Sequence, residues 1–255
     1  MDPDPTSRFG ALVGRSDVDV PLDEAVLLIA AHALSGLDVG RERSRLDDIA
    51  AGVTHPTVGA LRRHLVEELG FAGDRVSYHD PRNSLLPEVL DRRRGIPLTL
   101  AVLAMEVGRR CGVPLVGIGM PGHFLVRSEH DDDEFVDLFH GGALLDRAHC
   151  RAIFEALGVG VTWDESFLDP VQPRAILVRM LANLAGAYRR VGDRDALRWA
   201  LGLRLLLPGA VDRDRRELAA FLTAAGRFSE AAAVVEATGE ERDQHAAIRL
   251  RARLN

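Results

Sequence analysis

The residues of this chain best suited to acid–base chemistry are His123 and Asp137. His123 precedes a run in which Phe124 and Val126 share one face of a predicted strand, and Asp137 has apolar residues on both sides. If the apolar faces of two antiparallel strands are buried together, side-chain alternation makes His123 and Asp137 direct or diagonal cross-strand neighbours. A carboxylate beside an imidazole fixes its tautomer and raises its basicity, as in a catalytic triad. A purely structural hydrogen bond, or two unrelated residues, are the open alternatives.

A run of arginines is a second candidate, for ligand binding. The run contains Arg93 and Arg94, is followed by Gly95, and comes shortly after Asn83 and Ser84. Because it precedes a predicted helix N-terminus, charge and backbone donors there could hold an anionic or carboxylate-bearing ligand. The alternative is a set of internal salt bridges to acidic neighbours: Asp80, Glu88 and Asp91.

Metal binding is a weaker interpretation of the same region. His140 and His149 could join His123 and Asp137 as ligands, but their spacing matches no compact metal motif. Alternation along the hairpin directs His140 away from Asp137. The acidic loop 130–134 lacks the glycine and the alternating ligands of an EF-hand, so we interpret it as a solvated hairpin tip. We therefore expect neither a metal site nor a cofactor.

The elements that must position these residues belong to an α+β domain. Pro97 suits the first position of a helix, and the strongly apolar run 98–110 predicts a buried central helix. Strands are predicted over 115–119, 124–127 and 135–139, and a further helix over 147–157. Residues 1–20 are expected to form a flexible leader, and residues 21–168 the domain itself.

From residue 169 to 255 the sequence is rich in alanine and leucine and indicates helices alone. A 34-residue offset relates Leu184 to Leu218 and Gly192 to Gly226, which is the period of tetratricopeptide repeats. An unrelated alanine-rich helical bundle is the alternative. Repeats of this kind would offer a surface to a protein partner.

Two longer runs resemble a known family: DPRNSLLPEVLDRRRGIPLTLAVLAMEVGRRCGVPLVGIGMPGHFLVR and FVDLFHGGALLDRAHCRAIF. They are similar to the SirB-one family, bacterial proteins with a transglutaminase-like domain followed by tetratricopeptide repeats. The resemblance covers roughly residues 20–240. It implies a papain-like fold in which a central helix packs on an antiparallel sheet. Gly95 and Gly112 match the family's glycine landmarks, and His123 and Asp137 match its histidine and aspartate.

The resemblance fails at the nucleophile, because the position of the expected cysteine is Pro97. Proline offers neither a thiol nor a backbone N–H, so the usual covalent mechanism cannot operate. We therefore expect a non-catalytic protein that binds a peptide, protein or small ligand through the groove at His123 and Asp137. The alternative is an active hydrolase or acyl-transferase with a relocated nucleophile, Thr99 or Cys150. Cys111 is interpreted as a small core residue.

Composition narrows the function classes further. All 32 basic residues are arginine, which excludes lysine Schiff bases and a P-loop lysine. A net charge of −6 argues against nucleic acid or an anionic membrane as the partner. Two cysteines do not make a disulfide framework, and the first residues do not resemble a signal peptide. We expect a cytoplasmic protein, and the sequence does not indicate its oligomeric state.

Overall fold

The computed structural model describes residues 4–209 and 211–254. The chain divides into two compact units, Met1–Asn183 and Leu184–Asn255. The sequence placed the boundary at residue 168, but the first turns of a long helix, Pro173–Val191, still contribute to the first unit. Arg179 on that helix donates hydrogen bonds to the main chain at Met120 and His123, which explains the later boundary.

The first unit contains eight described helices, counting the beginning of the long one, and four short turns of 3₁₀ or π helix. The helices are α1 (Pro5–Val13), α2 (Leu22–Ala30), α3 (Val39–Ala51), α4 (Val58–Arg63), α5 (Leu86–Arg92), α6 (Pro97–Arg110), α7 (Arg147–Leu157) and the beginning of α8 (Pro173–Val191). The shorter turns are Asp17–Asp19, His64–Glu68, Pro81–Ser84 and Glu165–Leu168. No described helix is long and apolar enough to cross a membrane.

The described residues also form seven short strands. They are β1 (Ala72–Gly73), β2 (Arg94–Gly95), β3 (Leu115–Ile118), β4 (Leu125–Ser128), β5 (Phe135–Asp137), β6 (Ala143–Leu145) and β7 (Pro170–Val171). β1 and β2 form a small parallel pair. The other five form an antiparallel sheet in the order β6-β5-β4-β3-β7, with Val126 of β4 opposite Val136 of β5.

The central helix α6 covers this sheet, as the sequence predicted. Leu100, Val102 and Leu103 are buried almost completely, as are most other residues of α6, so this helix lies inside the domain. It contacts β3 and β4 on one side and α3 on another. The predicted arrangement of a central helix on an antiparallel sheet is therefore present.

The predicted flexible leader is the main departure in this unit. Within its described part, α1 begins with Asp4 as N-cap, whose carboxylate accepts from the N–H groups of Thr6 and Ser7, and with Pro5 in the first turn. Phe9 is fully buried, and α1 packs on α2. The nine residues of α1 form an amphipathic helix whose start signals, Asp4 and Pro5, lie within a polar segment. Residues 1–3 lie outside the described residues.

The second unit contains the end of α8 followed by α9 (Arg194–Arg204), α10 (Asp212–Ala224), α11 (Phe228–Glu236), α12 (Glu241–Arg251) and a final 3₁₀ turn (Ala252–Leu254). Leu184 and Leu218, related by the 34-residue offset, are both buried. Gly192 and Gly226, also related by it, both have φ of 74° and each follows a helix. These features agree with a helix-pair repeat, and the tetratricopeptide assignment stays a prediction.

Candidate active site

Two neighbouring strand ends place the imidazole of His123 against the carboxylate of Asp137. His123 closes a tight turn after β3, in which its N–H donates to the carbonyl of Met120 at 3.0 Å and Gly122 has φ of 79°. Asp137 is the last residue of β5. The distance from Nε2 of His123 to Oδ2 of Asp137 is 2.7 Å, and the histidine side chain is only 6% exposed. The structure thus brings together the two residues singled out from the sequence.

The carboxylate of Asp137 is buried completely but has several hydrogen-bond donors. Oδ2 accepts from both His123 and His140, at 2.7 Å each, and Oδ1 accepts from the N–H of His140 at 3.0 Å. Burial alone would raise the pKa of Asp137. The hydrogen bonds and charge interactions with His123, and then with His140, outweigh burial and hold its pKa below the usual value. The side chain is therefore an anion within a buried cluster.

His140 was wrongly predicted to point away from Asp137. The alternation that supported this prediction requires a strand through residue 139, whereas β5 ends at Asp137 and the chain turns immediately. The N–H of Gly142 donates to the carbonyl of Asp137 at 2.8 Å, which closes the turn. The turn swings His140 back, so that its Nδ1 reaches the carboxylate while its ring stays 43% exposed. The cluster therefore contains two histidines.

These contacts assign the donor nitrogens of both rings. Oxygens of an ionised carboxylate only accept, so Nε2 of His123 and Nδ1 of His140 carry the protons that face Asp137. In a neutral imidazole the other nitrogen then has the lone pair. For His123 that nitrogen is Nδ1, and no hydrogen bond joins it to another described residue. His123 is thus oriented as a general base would be.

The N-terminus of α6 offers no nucleophile to this base. Pro97 occupies the first turn, is buried, and has neither a reactive atom nor an N–H. Thr99 is fully buried, and its hydroxyl has no hydrogen-bond partner among the described residues. No imidazole or carboxylate of the described chain activates that hydroxyl, so the predicted substitute nucleophile lacks its base.

The second predicted substitute, Cys150 on α7, lies in an apolar cluster. Its buried neighbours are hydrophobic: Ile118, Met120, Leu125, Phe135, Phe154 and Leu168. Burial first, and then the negative charges of Asp146 and Asp137, raise the pKa of Cys150 to about 12. Cys111 follows the far end of α6, and burial raises its thiol pKa too. Neither cysteine is in the electropositive surroundings that make a thiol reactive.

The predicted arginine site has a structural use. Arg93 donates to the carbonyl of Leu69 at 2.6 Å, and Arg94 donates to the carbonyl of Gly70 at 2.9 Å. Both side chains therefore donate to main-chain carbonyls of the segment just before β1. They do not pair with the acidic residues considered as partners.

The other members of that predicted site are buried. Asn83 donates to Asp74 at 3.2 Å and to the carbonyl of Ser77 at 2.7 Å, and its Oδ1 accepts from Arg92. Ser84 is buried beside it in the same 3₁₀ turn, and Gly95 is buried in β2. Only Arg93 and Arg94 of the five predicted ligand-binding residues are exposed.

Sequence reasoning missed three residues beside His123. The rings of Tyr78 and His123 both contact Phe139, with centroid distances of 5.7 and 6.3 Å. Arg179 of α8 donates to the carbonyl of His123 at 2.9 Å, and its guanidinium lies 5.1 Å from the ring centre of Phe124. The only signal in the sequence is that Arg179 falls three residues after Ile176, on the buried face of a helix.

Arg179 is a cation without an anionic partner among the described residues. Its guanidinium donates only to the carbonyls of Met120 and His123, and burial lowers its pKa, opposed by its interaction with Tyr78. Gly119 makes room for it, since a Cβ there would lie 3.0 Å from its Nη1. The site therefore combines an oriented imidazole, a buried carboxylate and an unneutralised guanidinium.

One subset of this site has the donor atoms of a metal centre. The facing atoms of His123, Asp137 and His140 all lie within 4.8 Å of one another. Imidazole nitrogen and carboxylate oxygen are ordinary ligands of zinc and related divalent ions.

Comparison with known proteins places this geometry in a family. The model of the transglutaminase-like superfamily matches residues 33–182, which include α6, the sheet and all the site residues described above. A UPF0162 protein of Xylella fastidiosa (strain 9a5c) is 37% identical over 226 residues, covering 81% of this chain and 80% of that protein. A UPF0162 protein of Pseudomonas aeruginosa is 37% identical over 209 residues, covering 76% of each chain.

A shorter similarity reaches a eukaryotic protein. F-box only protein 21 of Mus musculus is 31% identical over 142 residues, which are 52% of this chain but 22% of that protein. The match to the family model and the coverage of the bacterial relatives agree with the helix-on-sheet fold. The chain belongs to the transglutaminase-like superfamily and is a relative of the UPF0162 proteins.

Proposed function

We propose that this protein binds a carboxylate-bearing peptide or small ligand at His123 and Asp137 and does not form a covalent intermediate. The observation that carries the proposal is Pro97, which stands where a transglutaminase-like enzyme of this fold would carry its thiol. A base without a nucleophile can still hold a ligand by hydrogen bonds.

Burial of the two substitute nucleophiles supports this proposal over the hydrolase alternative. A thiol with a pKa of about 12, as burial gives Cys150, leaves roughly one molecule in 10⁵ as thiolate at pH 7. The Thr99 hydroxyl is buried completely and has no described base within hydrogen-bonding distance. Nucleophilic catalysis requires an activated, accessible group, and neither residue meets that requirement.

Arg179 supports a carboxylate as part of the ligand. Arg179 is partly buried, and charges that lose water on burial are normally paired because desolvation is costly. The guanidinium of Arg179 has only carbonyl partners in the described chain, and carboxylates are its preferred bidentate partner. Tyr78, which is 39% exposed, would line the approach to it. A free peptide C-terminus and an acidic side chain share this chemistry.

The second unit supports a protein partner in addition. Its helices α9 to α12 follow one another in pairs with matching glycine turns, and such stacks in other proteins bind extended segments. We propose that these helices are tetratricopeptide repeats, and that the chain is a SirB-one protein as its sequence resemblance implies.

The test uses the full-length protein and a panel of fluorescent peptides, each made with a free C-terminal carboxylate and as the amide. We expect carboxylate peptides to bind at least about tenfold more tightly than their amides, a difference of one charged hydrogen-bond pair. Arg179→Gln should abolish that preference. Arg190→Gln is the matched control, because Arg190 is an exposed arginine on the same helix.

A parallel assay tests the hydrolase alternative. The protein is incubated with amide, ester and peptide substrates and with iodoacetamide and a fluorophosphonate. We expect no turnover and no labelling of Cys150 or Thr99. Turnover that disappears in His123→Ala, or stoichiometric labelling of Cys150 that depends on His123, would refute the binding proposal.

A further inference from the structure

We propose that His123, Asp137 and His140 form a binding site for one divalent transition-metal ion, of the class of Zn²⁺. The observation is the convergence of two imidazole nitrogens on a single carboxylate oxygen, at 2.7 Å each. The site goes beyond the proposed function and can stand or fail independently of it.

The donor set fits an ion of intermediate softness. Two imidazoles and one carboxylate are the ligands of many zinc sites that keep a fourth position open. The carboxylate of Asp137 is buried, and its negative charge would partly neutralise a divalent cation bound there. Calcium and magnesium prefer sets made of oxygen alone, so they fit less well.

The carboxylate is already held in place for this role. Its second oxygen, Oδ1, accepts the N–H of His140 at 3.0 Å, which leaves Oδ2 directed at both rings. Hydrogen bonds of this kind to a ligating carboxylate orient it and are a regular part of metal sites. His140 and Asp137 are fixed relative to each other by the same turn.

Insertion of an ion needs only a small opening of the cluster. Metal–nitrogen and metal–oxygen bonds of about 2.0–2.2 Å in tetrahedral geometry separate the ligand atoms by about 3.3–3.6 Å. The two 2.7 Å contacts must therefore lengthen by less than about 1 Å. His140 is 43% exposed, so its ring has room to move and leaves a path from solvent.

Protons must leave the coordinating nitrogens. A neutral imidazole moves its proton to the other ring nitrogen, which leaves a lone pair for the metal, and an imidazolium releases one proton to the solvent. No electrons are transferred and no bond in the ligands is broken. Affinity should therefore fall as the solution is acidified, because protons compete with the ion for the ring nitrogens.

The chain contains an internal control for this site. On α7, His149 contacts Asp146 at 2.8 Å with the same three-residue spacing, and its N–H donates to the same carboxylate. Both of these side chains are more than half exposed, and the described metal cluster does not include them. The pair at Asp146 thus has the same residue types and spacing, with ring and main-chain N–H on one oxygen, but without burial and without a second imidazole.

The experiment is calorimetric titration of tag-free, EDTA-dialysed, full-length protein with ZnCl₂. We expect one equivalent to bind at pH 7.5, and His140→Ala and His140→Gln each to weaken binding at least about tenfold. His149→Ala should leave affinity within about twofold. Co²⁺ in place of Zn²⁺ should give visible bands without thiolate charge transfer.

Circular dichroism and melting temperature of the metal-free variants check their folding, and His140 is exposed enough for both variants to fold. Absence of binding below about 1 mM, or equal weakening by the His140 and His149 variants, would overturn the metal site. Either outcome leaves the preference of Arg179 for carboxylate peptides to be judged by its own assay.

Discussion

The strand side and the helix side of the candidate site differ in whether their buried polar groups have hydrogen-bond partners. On the strand side, both oxygens of the buried Asp137 accept hydrogen bonds from histidines. On the helix side, Pro97 has no N–H and the buried hydroxyl of Thr99 has no partner in the described chain. Because unsatisfied buried polar groups are costly, the contrast shows that the strand side is organised as a polar site and the helix side is not.

The largest expected effect is the loss of the strand-side carboxylate. Asp137→Ala should lower the free energy of unfolding by about 3 kcal/mol, because it leaves the buried ring N–H of His123 and the main-chain N–H of His140 without their acceptor. Urea unfolding in EDTA, followed by circular dichroism, measures it. Asp146→Ala removes an exposed N-cap carboxylate from a similar histidine contact and should cost much less. Equal losses in the two variants would mean that the burial of Asp137 contributes nothing.

The next effect is the acid dependence of that stabilisation. The pKa of folded Asp137 lies below its ordinary value of 3.8, so its contribution is complete only above about pH 5, where the unfolded carboxyl is also ionised. It is lost as the pH falls through the lowered value. Unfolding free energies between pH 5 and pH 2.5, in EDTA, should therefore fall more steeply in the wild type than in Asp137→Asn. Parallel slopes would show that this carboxyl is not the group responsible.

The smallest effect is expected on the helix side. Thr99→Val removes an unpartnered buried hydroxyl and keeps the branched shape, so it should be neutral or stabilise the fold by about 1 kcal/mol. Thr99→Ala leaves a cavity and should be less stable than Thr99→Val. Urea unfolding compares them. A clear destabilisation by valine would show that the hydroxyl has a partner and would return Thr99 to consideration as a functional group.

The sequence predicted the strand side of the site only in part. His123 and Asp137 could be paired because apolar residues mark the buried faces of β4 and β5, and alternation then determines the other face. His140 could not be placed, since alternation gives no information once a strand has ended, and β5 ends three residues earlier. The central helix followed from its continuous apolar run and from Pro97.

Residues that reach the site only through tertiary packing could not be predicted from the sequence. Arg179 lies 42 positions after Asp137, and only the packing of α8 near the turn at Met120 brings its guanidinium to the main chain of His123. The sequence shows Arg93 and Arg94 as a group of cations. It cannot identify their acceptors, because every residue has a main-chain carbonyl like that of Leu69. Charge patterns reveal cations, whereas their neutral acceptors appear only in the folded chain.

Pro97 also bears on how this fold can change over evolutionary time. The N–H of the first residue of a helix is not part of the hydrogen-bond ladder, so position 97 can exchange residue types without disturbing the rest of α6. A lineage could therefore lose or regain a thiol there while the sheet, the histidines and Asp137 stay in place. Catalytic capacity at this position is separable from the architecture, and related chains can differ in chemistry without differing in shape.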